Sequence, residues 1–317
     1  MRRDTFLHSL ALLAGLGAVP AWAARPIRMM IPANPGGGWD ATGRALGQAM
    51  QQARLADSVH YVNKGGAAGV LGLAQFIDSS RGDPQALMMT GSVMLGGIIS
   101  GKPPVSLALV TPVARLTTEY NVFVVQTQSV HRSLADVIAQ LRHDPASVRW
   151  GGGSRGSTEH IAAAMIARAV GVDPARINYV GFRGGGEAAA AVLGGSVTIG
   201  GSGYSEFAEY IRAGKMRPIA VTAATRLKNV PIPTLKEQGI DIEIGNWRGV
   251  YGAPGISPAQ RDALTSLVLQ ATRSPAWLEA LRLNDWTSAV LTGLAFEKFV
   301  ADDYASLQSI MLRSGMV

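Results

Sequence analysis

The stretch Ile27–Asp40 reads IRMMIPANPGGGWD. Its apolar start, Ile27 to Ile31, has the continuous hydrophobicity of a strand buried on both faces. Pro32 and Pro35 stop regular structure, three glycines follow, and Trp39-Asp40 lead into a helical pattern over Ala41–Gln52. A strand that passes through glycines into a helix presents unpaired backbone N–H groups at the positive end of a helix dipole, which is an anion cradle. The design returns at Val148–His160, VRWGGGSRGSTEH, and at Tyr179–Glu187, YVGFRGGGE. Three such turns predict one ligand held between α/β units.

Outward from these turns the chain keeps the same rhythm. Strands are expected at Ser58–Val62, Ala86–Thr90, Val113–Leu116, Asn121–Gln126, Ile177–Val180, Val197–Gly200, Arg217–Thr222 and Asn246–Gly252. Helices are expected at Val70–Ser80, Val93–Ser100, Ser133–Arg142, Ser157–Val170, Gly186–Leu193 and Tyr204–Ala213. Strand, loop and helix in alternation favour parallel sheets. Three helices close the chain, Pro258–Arg273, Pro275–Leu283 and Leu294–Ser314, with no strand expected among them. The reading is an α/β chain of two lobes, 24–121 with 247–317 as one and 122–246 as the other. Two extended crossovers join them, and the cleft lies at strand C-termini.

Composition narrows the function. The chain has 317 residues, 47% hydrophobic and 16% charged, enough for a sizeable core. Its net charge of +7 is spread without a Lys/Arg run or an aromatic-interleaved basic patch, so nucleic acid is not an expected partner. Cysteine is absent, which removes disulfides, thiolate catalysis and Cys-zinc sites. The five histidines are scattered, and no P-loop pattern occurs. Arg2-Arg3, an apolar run over Phe6–Val19 and Ala21-Trp22-Ala23 have the layout of a signal peptide over residues 1–23, with a mature periplasmic chain from Ala24.

Two enzyme patterns match on paper. Gly152-Gly153-Ser154-Arg155-Gly156 fits a nucleophile elbow, but the only later histidine is His160, six residues on, so the triad order cannot be completed. Gly151-x-Gly153-x-x-Gly156 fits a dinucleotide fingerprint, yet the next strand ends in Gly181-Phe182 without the acid that would hold a ribose. Glu159 and Glu187 read as dipole-compensating residues in first helical turns, and Arg44, Arg155, Arg183 and Arg248 as arginines beside glycine-rich turns.

The runs IPANPGGGWD, NKGGAAG, GGGSRGS, YVGFRGGGE, PTLKEQGIDI and NWRGVYGAPG, taken together, resemble the Bug-type extracytoplasmic solute receptors of tripartite tricarboxylate transporters. The resemblance spans about Arg25 to Val317. It implies a type II periplasmic binding fold, no catalysis, no cofactor, a monomer, and partnership with one large and one small integral membrane subunit. It also implies a carboxylate ligand. The GGGE turn looks most like the tricarboxylate-binding branch, hence citrate or a similar tri- or dicarboxylate. Carried over by position, the site comprises Asn34, Pro35, Gly36, Gly37, Gly38 and Asp40 from the first turn, with Trp39 among them as either a pocket wall or a core residue. Thr90 and Ser92 come from the next strand end, and Ser154, Gly156, Ser157 and Thr158 from the opposing lobe. Gly184, Gly185 and Gly186 complete it, and Arg183 stands beside them as a candidate read from the sequence, at a position the resemblance does not fix. The alternatives are an exported α/β enzyme and a carboxylate receptor that feeds a signalling sensor.

Overall fold

A computed structural model of the chain describes residues 26–228 and 230–317. The signal peptide read over residues 1–23 lies outside them. The order is β1 (Ile27–Ile31), α1 (Gly38–Gln52), β2 (Val59–Asn63), α2 (Val70–Ser79), β3 (Ala86–Gly91), α3 (Ser92–Gly101) and β4 (Thr111–Gln126). Then come α4 (Leu134–His143), β5 (Arg149–Gly152), α5 (Thr158–Ala169), β6 (Asn178–Gly181), α6 (Gly185–Leu193), β7 (Ile199–Gly203), α7 (Tyr204–Arg212) and β8 (Met216–Val221). The chain ends with β9 (Gly245–Gly252), α8 (Pro258–Thr272), α9 (Pro275–Leu283), β10 (Thr287–Thr292) and α10 (Gly293–Arg313).

The strands run in the order β2-β1-β3-β9-β4-β7-β5-β6, with β8 and β10 also paired to β4. β1 lies parallel to β2 and β3, and β5 parallel to β6 and β7, as alternating strands and helices require. The connecting strands are antiparallel. β4 pairs with β9 from Thr111 to Tyr120, then with β7 from Asn121 onward and with β8 from Val122. One strand therefore belongs to both halves of the sheet. The sequence divides it in two, because Thr117-Thr118-Glu119-Tyr120 interrupts the apolar pattern. These residues stay in the strand, and register shifts at Pro112/Ala114 and Arg115/Thr117 bend it. Thr117, Glu119 and Asn121 are buried, so the polar interruption marks an internal polar site rather than a loop.

β10 corrects the expectation that no strand lies among the closing helices. The run Thr287–Thr292, TSAVLT, is half-buried, β-branched at three positions, and covers the outer edge of β4 through Thr287↔Thr118 and Thr292↔Ala114. Helices α8 and α9 pack on α1, and α10 packs on α3. Serine side chains set four of the ten helix starts among the described residues. Ser133 and Ser257 form capping boxes with Asp136 and Gln260, and Ser157 and Ser274 cap α5 and α9. By contrast α1 and α6 begin at Gly37 and Gly184, with no side-chain cap. Their first N–H groups are left for something else.

The larger core joins β1, β3 and β9 to helices on both sides, with Met29, Leu46, Leu73, Trp150, Ile161 and Phe296 fully or almost fully buried. A smaller core fills the space around Val122, Val192, Phe207 and Val221. Among the described residues no helix is long and apolar enough to cross a membrane.

Candidate functional site

The three glycine turns meet at one cavity of about 80 Å³. Gly37, Gly38 and Trp39 line it from the start of α1, Gly153 and Ser154 from the loop after β5, and Arg183, Gly184 and Gly185 from the start of α6. Gly66, Ala68 and Gly69, from the NKGGAAG run, form a further wall. The backbones approach closely. A Cβ on Gly37 would stand 3.7 Å from Gly184 Cα, and one on Gly38 would lie 2.7 Å from Arg248 Cζ, so a side chain at Gly38 would displace that arginine. Gly36 and Gly156 hold corresponding places in their turns, both at φ +85°, a left-handed conformation that favours glycine.

The remaining expected residues support the turns without lining the cavity. Asp40 accepts from the Gly36 N–H at 3.0 Å and from Arg44 and Asn63, which ties the first turn together. Burial pushes the Asp40 carboxyl up, but the hydrogen bonds from Arg44, Gly36 and Asn63 outweigh it and hold the group below its usual value. Asn34 donates to Glu187 Oε1 at 3.1 Å, from the first turn to the start of α6. Pro35 is exposed in the turn, and Gly186 lies one residue beyond the lining. Thr90 is fully buried and donates to Met94 Sδ, and Ser92 Oγ accepts from the Trp247 N–H. Ser157 caps α5 and stands 3.3 Å from the Tyr179 hydroxyl, while Thr158 is buried with its hydroxyl unpartnered. The Gly156 N–H donates to His160 Nδ1 at 3.0 Å. That ring stacks on Tyr179, and burial lowers its pKa to about 4, so it is neutral at pH 7. Ser154 Oγ donates instead to the Phe182 carbonyl, so serine and histidine form no nucleophile–base pair.

The acids of the cavity wall were not anticipated. Glu206, on the first turn of α7, accepts from the Gly38 N–H at 2.9 Å, the Gly185 N–H at 3.2 Å and the Ser202 hydroxyl at 2.7 Å. Two helix starts that looked open to a ligand are thus joined by the chain's own carboxylate. Glu159, 4% exposed, lines the same cavity, and its Oε2 has no hydrogen-bond partner. Burial, with the neighbouring Glu206 adding to it, pushes Glu159 up to about 7. Burial moves Glu206 upward too, against the hydrogen bonds it accepts. Asn246, 5% exposed, also lines the cavity, with its Oδ1 unpartnered. Arg248 is the buried cation: it pairs with Glu119, donates to Thr42 Oγ1 at 3.1 Å and lies over Trp286. Burial pushes its guanidinium down to about 9, still charged at neutral pH. The run Ile199–Tyr204, IGGSGY, repeats the strand-glycine-helix design and was the available signal for Glu206. Among the described residues no group of three or more His, Asp or Glu could hold a metal.

The family model of the tripartite tricarboxylate transporter family receptor matches residues 43–316. Protein BugT of Bordetella pertussis is 26% identical over 315 residues, covering 98% of this chain and 95% of BugT. The crystal structure of a TctC solute binding protein from Polaromonas superposes with a TM-score of 0.65 at 28% identity, covering 93% and 99% of the two chains. MatC from Rhodopseudomonas palustris with bound malate superposes with a TM-score of 0.78 at 20% identity, covering 90% and 98%. The architecture is that of a periplasmic binding protein, an α/β fold of two lobes, as the turns had implied. By the span of the match and the architecture alike, the chain belongs to the tripartite tricarboxylate transporter receptor family.

Proposed function

We propose that this chain is the periplasmic solute receptor of a tripartite transporter, binding a small carboxylate in its cleft and delivering it to one large and one small integral membrane subunit. The carrying observation is the convergence of Gly37–Gly38, Gly153–Ser154 and Gly184–Gly185 on one cavity. The lobes of the proposal are 24–121 with 247–317, and 122–246. The shared strand β4 makes their relative motion a bend, and the cross-contacts Gly38–Glu206 and Asn34–Glu187 are those a closed form needs. The leader over residues 1–23 would carry the chain to the periplasm, where it works as a monomer.

The Gly153–Ser154 turn and Arg183 are the donors we propose for the ligand carboxylate. Citrate or a similar tri- or dicarboxylate is the ligand class that the family resemblance supports. The carboxyl groups of Glu159 and Glu206 in the cavity wall support an acid with fewer charges than citrate, and the related MatC is solved with bound malate. Isothermal titration with citrate, tartrate, succinate, glutamate and benzoate tests the reading. Saturable binding of at least one without chemical change is expected. Turnover would favour the exported enzyme, and binding of none would remove the receptor reading.

A further inference from the structure

An anion cradle explains the glycines and Arg183. It does not explain why acids stand in the wall. The N–H groups of Gly38 and Gly185 already serve Glu206, so two of the three helix starts are neutralised from within. What stays open to an oxyanion is the Gly153–Ser154 turn with Arg183 beside it, room for one carboxylate. Elsewhere in the same wall, Glu159 Oε2 and Asn246 Oδ1 are buried acceptors with no donor. A buried acceptor without a partner costs free energy that a ligand donor would return on binding.

We propose that the ligand carries one carboxylate and one nitrogen donor, an amide N–H or an ammonium, and that Glu159 and Asn246 are the residues that select the donor. This rests on reading the cleft as the solute site. Charge around the cavity argues the same way. Glu159 and Glu206 line the cavity together with two cations, Arg183, already given to the first carboxylate, and the buried Arg248, which Glu119 already pairs. A second or third ligand carboxylate would meet the carboxyl groups of Glu159 and Glu206, with no further cation among the residues that line the cavity. An ammonium would form a charge-assisted hydrogen bond with Glu159, and an amide a neutral one.

The test is isothermal titration of the full mature chain with matched probes of four to six carbons. Each straight-chain diacid is compared with its monoamide and with the ω-amino acid of the same length, and citrate is added. The expected result is that an amide or amino probe binds at least tenfold more tightly than its diacid, with citrate no better than the diacids. Glu159→Gln should reduce the amino probe's advantage at least tenfold and the amide's by less, and Asn246→Leu should weaken both nitrogen probes and spare the diacids. Asn246→Leu also carries the test if Glu159→Gln fails to fold. Diacids or citrate binding as tightly as the nitrogen probes would overturn the donor site and leave the receptor standing. An unchanged preference in both variants would do the same, and no binding across the whole series would overturn both.

Discussion

Glu206 Oε1 lies 2.9 Å from the main-chain nitrogen of Gly38, so the start of α1 is closed by a carboxylate from α7, 168 residues away. The same oxygen takes the Gly185 N–H, and one acid thereby links α1 to α6. Glu206→Ala would free both N–H groups. The variant is expected to acquire an inorganic anion site that the parent lacks. Its melting temperature should rise with added sulfate beyond the general salt effect seen in the parent, by the linkage that stabilises any ligand-bound fold. Equal sulfate responses in the two proteins would show that those donors are satisfied in another way.

Gly37 faces Gly184 across the cleft with room for a small side chain, and its φ of −88° suits any residue. Gly37→Asp places a carboxylate at the cap of α1, where it is locally favourable. The expected outcome is a folded protein, by circular dichroism, that no longer binds carboxylates. Retained affinity would place the site elsewhere.

The Arg248–Glu119 pair is almost wholly buried and has one extra donor, Ser205, on Glu119. Removing one partner strands a charge. Glu119→Leu should therefore lower stability by roughly 3–5 kcal/mol in urea unfolding, whereas Glu119→Leu with Arg248→Met should recover much of that loss. A double variant as unstable as the single one would mean that the pair is needed for the fold itself.

Glu159 and His160 are neighbours whose titrations oppose each other. Glu159 is raised from 4.5 to about 7, so its native form keeps a proton that the unfolded chain releases. Its contribution is fully present below pH 4.5 and is lost as pH rises through about 7. His160 is lowered from 6.5 to about 4, so its contribution is present above pH 6.5 and is lost as pH falls through about 4. Each is worth on the order of 3 kcal/mol, and between pH 4.5 and 6.5 they cancel. Glu159→Gln should expose the histidine limb, with stability rising from pH 4 to 6.5. His160→Gln should expose the opposite slope. Parallel stability–pH curves for the parent and both variants would contradict this assignment.

The parts of the molecule that were plain in the sequence are those set by neighbours in the chain. Ile27–Ile31 needed only its apolar run, and α4 only the Ser133 and Asp136 box. The glycine turns announced themselves because a strand must cross bare backbone to enter α1 or α6. Other features depend on residues far apart. Glu119 looked like a break in a strand because Arg248, 129 residues later, supplies its reason for being buried. Glu159 looked like a dipole partner because nothing local says that its carboxyl faces a cavity. Thr287–Thr292 is too short and too exposed to stand out until the edge of β4 is there for it to cover.

That sixteen-residue strand has a consequence for how the chain is made. β4 is complete by residue 126, but its partner β9 begins at 245 and its edge cover β10 at 287. The contacts that finish the first half of the sheet are thus among the most distant in sequence, a topology that folds slowly. A chain halted or clipped before β9 would carry an unpaired ladder of amide and carbonyl groups, the template on which stalled β proteins coalesce. Premature stops between β4 and β9, over residues 127 to 244, should therefore yield inclusion bodies rather than a smaller working receptor.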